Sequence, residues 1–182
     1  MTHKEMSEIF AVMLLAYPNA EVFKGGVAKL GPTINLWVTA LPEIDFWTGR
    51  QAVVKLVREC KYPPTIAEFK EKADAIQVEM KNMIRTSWAM LKLSLDTNGV
   101  DATVKGLPPD SNQLSVISIM GGPDKLVITE NHTMGDGRIV PHSRYNYEGY
   151  AKAWETLLRK EDALAPTPKR PAIGGGKKQI GG

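Results

Sequence analysis

Sulfhydryl chemistry is almost absent from this chain of 182 residues, which holds a single cysteine, Cys60. A lone thiol forms no internal disulfide and no cysteine metal cluster, which fits a reducing cytosol. On the apolar face of an expected helix, Cys60 reads as a small buried hydrophobe and a poor nucleophile. Histidine is nearly as scarce. His3, His132 and His142 stand apart in the sequence, without an H-E-x-x-H pair or a carboxylate at ligand spacing, so no metal site is expected.

The motifs of nucleotide and acyl-transfer chemistry are missing too. There is no G-x-x-x-x-G-K-[ST] phosphate loop; the nearest cluster, Gly121-Gly122-Pro123-Asp124-Lys125, has the wrong spacing and a proline where N–H donors are needed. No G-x-S-x-G elbow occurs. Carboxylate pairs such as Glu59 with Glu68, or Asp124 with Glu130, fall at spacings that a solvated surface produces. The chain therefore reads as a non-enzyme with no cofactor.

Long hydrophobic runs are lacking as well. The longest, residues 9–17, is far below the roughly 20 residues of a membrane-spanning helix. A signal peptide is a competing reading of this run, since Lys4 precedes it and small residues follow. Glu5 and Glu8 oppose that reading. Met6, Ile9, Phe10, Met13, Leu14 and Tyr17 recur at helical spacing behind a Thr2-x-x-Glu5 capping box, so an amphipathic core helix explains the same residues.

With 43% hydrophobic and 24% charged residues, the composition suits a soluble globular protein. The net charge of +3 is unevenly placed. Beyond Asp162 stand Lys169, Arg170, Lys177 and Lys178 with no acidic side chain, so the body before them carries about −1. Residues 165–182 are rich in proline and glycine and have only Ile173 and Ile180 as large apolar residues, so they read as a disordered basic tail. Such a tail is either a solubilising end or an arm for nucleic-acid phosphates or an acidic protein groove. Four charges spread this widely make a weak footprint for direct nucleic-acid binding.

Helix signals dominate the body. Pro32 suits the first turn of a second helix with Ile34, Trp37, Val38 and Leu41 on one face, closed by Pro42. Asp45 or Thr48 caps a third helix, along which Ala52, Val53, Leu56, Val57 and Cys60 recur at threes and fours. Lys61-Tyr62-Pro63-Pro64-Thr65-Ile66-Ala67-Glu68 then joins a helix-breaking hinge to a second capping box. A fourth helix is expected from Ile66, continuous or bent near Asn82, to Asn98, with Gly99 as its stop.

Downstream the spacing predicts a loop at Leu107-Pro108-Pro109, a short helix over residues 112–120 and a stop at Gly121-Gly122. Residues 124–128 fit a helical turn or a short strand equally, and residues 131–138 read as loop. A final long helix is expected from Pro141 to about Leu164, with Tyr147, Tyr150, Ala151, Trp154, Leu157 and Leu158 on one face and Lys152, Glu155, Arg159 and Lys160 solvated. The fold class is therefore all-α. The expected division is a bundle of about four helices over residues 1–80, a second, mostly helical region over 81–164, and the tail over 165–182.

Trp37, Trp88 and Trp154 fall on apolar helix faces and read as core. Trp47 differs. It follows Asp45-Phe46 at a helix start, where it is either the staple of the helix or an exposed anchor for a partner.

The order Tyr17-Pro18, Leu36-Trp37 and Pro63-Pro64-Thr65-Ile66-Ala67 resembles the N-terminal domain of bacteriophage replicative helicase loader/inhibitor proteins. Ser87-Trp88, Leu107-Pro108, Met120-Gly121-Gly122 and the Tyr-rich closing helix are similar to the downstream part of phage replication proteins that carry this domain. The resemblance implies a helical protein of the host cytoplasm that binds and inhibits a hexameric replicative helicase of the DnaB type. It further implies help in loading that helicase at an origin, with an origin-binding initiator and a single-strand binding protein as further partners. Without a phosphate loop, such a protein would not hydrolyse ATP itself. On this reading Trp47, Lys169, Arg170, Lys177 and Lys178 are the candidate partner contacts. A DNA-binding initiator is the alternative, although no helix is rich in arginine and lysine. A phage assembly chaperone is another, being also small, helical and without an active site.

Overall fold

In the computed structural model, residues 1–26 and 29–164 are described, with side chains described to residue 160. Their order is α1 (His3–Ala16), α2 (Gly31–Ala40), α3 (Phe46–Glu59), α4 (Ile66–Gly106), α5 (Asn112–Met120), β1 (Val127–Thr133), β2 (Ile139–Tyr145) and α6 (Tyr147–Leu164). Short 3-10 turns cover Glu21–Phe23 and Pro123–Leu126.

Local side-chain chemistry sets the helix starts. Thr2 Oγ1 accepts the Glu5 N–H at 3.3 Å while the Glu5 carboxylate accepts the Thr2 N–H at 2.7 Å. The same reciprocal pair opens α4, with Thr65 Oγ1 accepting from the Glu68 N–H at 3.3 Å and Glu68 accepting from the Thr65 N–H at 2.7 Å. Asp45 caps α3 by accepting the Thr48 N–H at 3.2 Å. Each cap satisfies donors that a helix start leaves without an intrahelical partner.

Two buried clusters follow. The first gathers Met6, Ile9, Phe10 and Met13 of α1, Ile34 and Trp37 of α2, Ala52, Val53 and Leu56 of α3, and Phe69, Ala73 and Ile76 of α4. Trp37 is its centre, meeting Phe10 edge-on at 5.1 Å between centroids and Phe69 at 5.3 Å. At Gly49 a Cβ would stand 2.9 Å from Ile9 Cδ1, so the close crossing of α1 and α3 requires glycine there.

The second cluster uses the far part of α4, with Ile84, Leu91 and Leu95 packed on Val116 and Ile117 of α5, Leu126, and Tyr150, Ala153 and Trp154 of α6. Trp88 lies half-buried against Tyr145, Tyr147 and Tyr150, and the Tyr150 hydroxyl shares a 2.8 Å hydrogen bond with Ser87.

The all-α expectation needs correction, because β1 and β2 form an antiparallel hairpin that pairs Val127 with Tyr145 and Thr133 with Ile139. The expected final helix is shortened accordingly: residues 141–145 are extended, and α6 starts at Tyr147. Residues 131–133, read as loop, are strand, and of the two readings for 124–128 each is right in part, since a 3-10 turn leads directly into β1. A tight loop closes the hairpin, with Gly137 at φ +81° and the Asp136 carboxylate accepting the Arg138 backbone N–H at 3.1 Å.

Gly99 also departs from its expected role. It takes φ +76°, but helix resumes to Gly106, because Thr103 is buried and Val100, Val104 and Leu107 pack on the second cluster. A single kink is accepted in exchange for that burial. Of the two readings at Asn82, the continuous helix is the one observed.

The caps yield a stability prediction. Hydrogen bonds from the Thr65 backbone N–H first, then from its hydroxyl, hold the Glu68 carboxyl below its usual value, and Thr2 acts likewise on Glu5. A carboxyl lowered in the folded state stabilises fully above the ordinary carboxylate range and loses that contribution as pH falls through it. Thr65→Ala should cost about 1 kcal/mol at neutral pH. In thermal melts that corresponds to roughly 2–4 °C, and the gap from the parent protein should narrow in acid.

Candidate partner-binding site

Asp45 positions the first turn of α3, and with it Phe46 and Trp47, which are both half-buried. They form one wall of a cleft completed by Met1, Thr2 and Glu5 at the start of α1, by Arg50, and by Arg159 of α6. The Met1 ammonium donates to the Ile44 carbonyl at 3.2 Å and holds the chain start against this wall. Arg159 reaches to 3.8 Å from Asp45, bringing the two buried clusters' elements into contact at the cleft. That ion pair is solvent-exposed and contributes about 1 kcal/mol at most.

Trp47 therefore lies between its two readings. Its ring packs against the first cluster as a staple does, yet its face forms part of an open cleft, and its buried Nε1 has no hydrogen-bond partner among the described residues. Together these offer an apolar wall, an indole donor and a cationic rim, which suit an apolar side chain flanked by carbonyl or carboxylate groups. The other sequence-derived contacts, Lys169, Arg170, Lys177 and Lys178, lie outside the described residues.

A second concave surface brings together segments that are remote in sequence. Ala16, Tyr17, Pro18 and Val22 line one side, and Lys61, Tyr62 and Pro63 of the hinge line the other. The link between them is the Tyr17 hydroxyl, which donates to the Cys60 carbonyl at 2.9 Å. Burial pushes the Tyr17 phenol above its ordinary value. Pro18 ends α1 and Pro63 separates α3 from α4, so each proline turns its chain at the point where the two segments meet. Tyr62, at 70% exposed, is the most open aromatic of this surface.

These two segments carry the recurring order Tyr-Pro and Pro-Pro-Thr-Ile-Ala, and the N-terminal domain of the phage helicase loader/inhibitor family matches over residues 1–70. Residues 1–70 belong to that family. No curated protein and no solved structure matches the chain. Within the loader/inhibitor domain, Trp37 is the aromatic hub, and Tyr17 ties the end of α1 to the end of α3. Leu36, beside Trp37 in the Leu-Trp pair, is 59% exposed and supplies no core.

Sequence reasoning misses two contacts. The tie between Tyr17 and Cys60 spans 43 positions and leaves no local signal beyond a tyrosine placed before a proline. His132 and His142, separate in the sequence, meet edge-on at 5.3 Å because the hairpin folds one strand onto the other. Among the described residues, no group of three or more His, Cys, Asp or Glu side chains is placed to hold a metal.

Tyr17→Phe isolates the hinge tie. The ring stays, while a partly buried carbonyl loses its donor, so unfolding in urea should show a loss of about 1 kcal/mol with little change in slope. An unchanged midpoint would mean that the tie contributes nothing.

Proposed function

We propose that this chain is a phage replication accessory protein that binds a hexameric replicative helicase, restrains its ATPase and delivers it to an origin, without hydrolysing ATP itself. The observation that carries this reading is the loader/inhibitor family match over residues 1–70, the segment whose helices build most of the first buried cluster. Helicase association is what that family suggests; inhibition and loading are the finer part of the proposal.

A protein that acts in this way works by occupying a surface, so its chemistry is that of an interface. Trp47 is the proposed anchor, since a half-buried aromatic with a buried, unpartnered donor gains most when a partner excludes water from it. Basic residues Lys169, Arg170, Lys177 and Lys178 are the proposed electrostatic contacts, with counterion screening setting their strength. An origin-binding initiator and single-strand binding protein would act at the delivery step. The host cell cytoplasm is the compartment this role requires, and no helix among the described residues is long and apolar enough to cross a membrane.

Light-scattering chromatography of the chain mixed with the host replicative helicase, with and without a non-hydrolysable ATP analogue, tests this directly. The expected result is a stable complex in at least one nucleotide state and a fall in helicase ATPase. Trp47→Ala should weaken the complex at least tenfold, about 1.4 kcal/mol, while leaving the far-ultraviolet helix signal intact. Separate peaks in both states would overturn the proposal.

A further inference from the structure

The β-hairpin stands apart from both buried clusters: from Thr129 to Arg144 every residue is exposed. An isolated two-stranded ribbon is marginal in water, and each outer strand edge presents unpaired backbone groups. The two edges of this ribbon are unequal.

Which backbone groups face outward follows from the register. Met134 N–H donates to the Arg138 carbonyl and Asn146 N–H to the Leu126 carbonyl, so the even-numbered residues of β1 bond inward, toward β2. Val127, Thr129, Asn131 and Thr133 consequently direct their N–H and carbonyl groups to the outer edge of β1. On β2 the outward set is Ile139, Pro141, Ser143 and Tyr145. Pro141 has no N–H, which explains why a proline is tolerated in this strand and why that edge is blunted against further pairing. No proline, lysine or bulge blunts β1.

We infer that β1 pairs edge to edge with β1 of a second copy of this chain, antiparallel and centred on Asn131, merging two hairpins into one four-stranded sheet. The strand is complementary to itself in this register. Asn131 faces its own counterpart in a hydrogen-bonded pair, and Thr129 faces Thr133. On the opposite face Glu130 comes against His132, twice by symmetry, and half-buried Ile128 comes against Met134, which is 49% exposed in the single chain. The neighbouring register, shifted by two positions, would set Glu130 directly against Glu130, and like charges in opposed positions disfavour it. Glu130 keeps its own-chain partner, Arg144 at 3.3 Å, on the same face, so the carboxylate is shared rather than stranded. Nucleic acid is a poorer occupant of this arm, because Arg138 and Arg144 are both paired within it, to Asp136 and Glu130.

A contact of one strand edge is well below the roughly 1,000 Å² of a stable interface, so association should be weak and reversible. Sedimentation velocity of the full chain over a concentration series into the high micromolar range should show a monomer–dimer equilibrium. Asn131→Pro, which removes an outward N–H that the hairpin itself does not use, should abolish it, whereas Ser143→Pro on the other edge should leave it intact. A second readout does not depend on either proline being tolerated. In a Cys60→Ser background, Asn131→Cys should cross-link to its counterpart under mild oxidation, since hydrogen-bonded partners lie about 5.5 Å apart between Cα atoms, within disulfide reach. Thr129→Cys should not, its counterpart lying about 14 Å away along the strand. A monomer at every concentration, dimers that survive Asn131→Pro, or cross-linking at 129 equal to that at 131 would each overturn the inference.

Discussion

One apolar stripe, running along α4 from Phe69 to Leu95, is the constraint on which the rest of this structure depends. Phe69, Ala73 and Ile76 close the first buried cluster, and Ile84, Leu91 and Leu95 open the second. From Ile66 to Asn98 this helix is about 50 Å long. Neither α1–α3 nor α5 and α6 could bury their apolar faces without it, since each set packs on a different part of the same surface. The capping box at Thr65 and Glu68 matters for the same reason, because it fixes where that surface begins. In functional terms, the helix sets the loader/inhibitor domain at one end and the second cluster, with its projecting hairpin, toward the other.

Between the clusters the connection is slight. Val78 and Met83 are 56% and 41% exposed, so α4 crosses there with little tertiary cover. The Arg159 to Asp45 ion pair is a further link, and it lies at the cleft that holds Trp47. A partner that seats on Trp47 would therefore touch side chains from both ends of the chain. This gives the cleft a role that neither part of the sequence suggests alone.

What is legible in the sequence is local. Both capping boxes, the Asp45 cap, Pro32 in the first turn of α2 and the Gly121 stop, at φ +100°, are determined by residues within a turn of each other. The hairpin is not legible, because strand periodicity is a burial signal, and a ribbon exposed on both faces has no side to alternate toward. Pro141 adds to the difficulty: it suits a helix start, and only the hydrogen-bond register shows that its missing N–H would have pointed outward. Gly99 misleads in a similar way, since a positive φ ends helices in general, whereas the burial of Thr103 beyond it restarts this one. Trp47 stands out by its position at a helix start, but the participation of Arg159 depends on a contact between distant parts of the chain and has no signal in the sequence.

Hydrogen exchange along α4, resolved to single amides, tests the shared helix most directly. If one continuous helix serves both clusters, protection should run unbroken from Phe69 to Leu95, lowest but still well above coil levels across residues 78–83. Exchange at coil rates over residues 78–83, with protected segments on either side, would show two separate helices joined by a linker and would contradict the account.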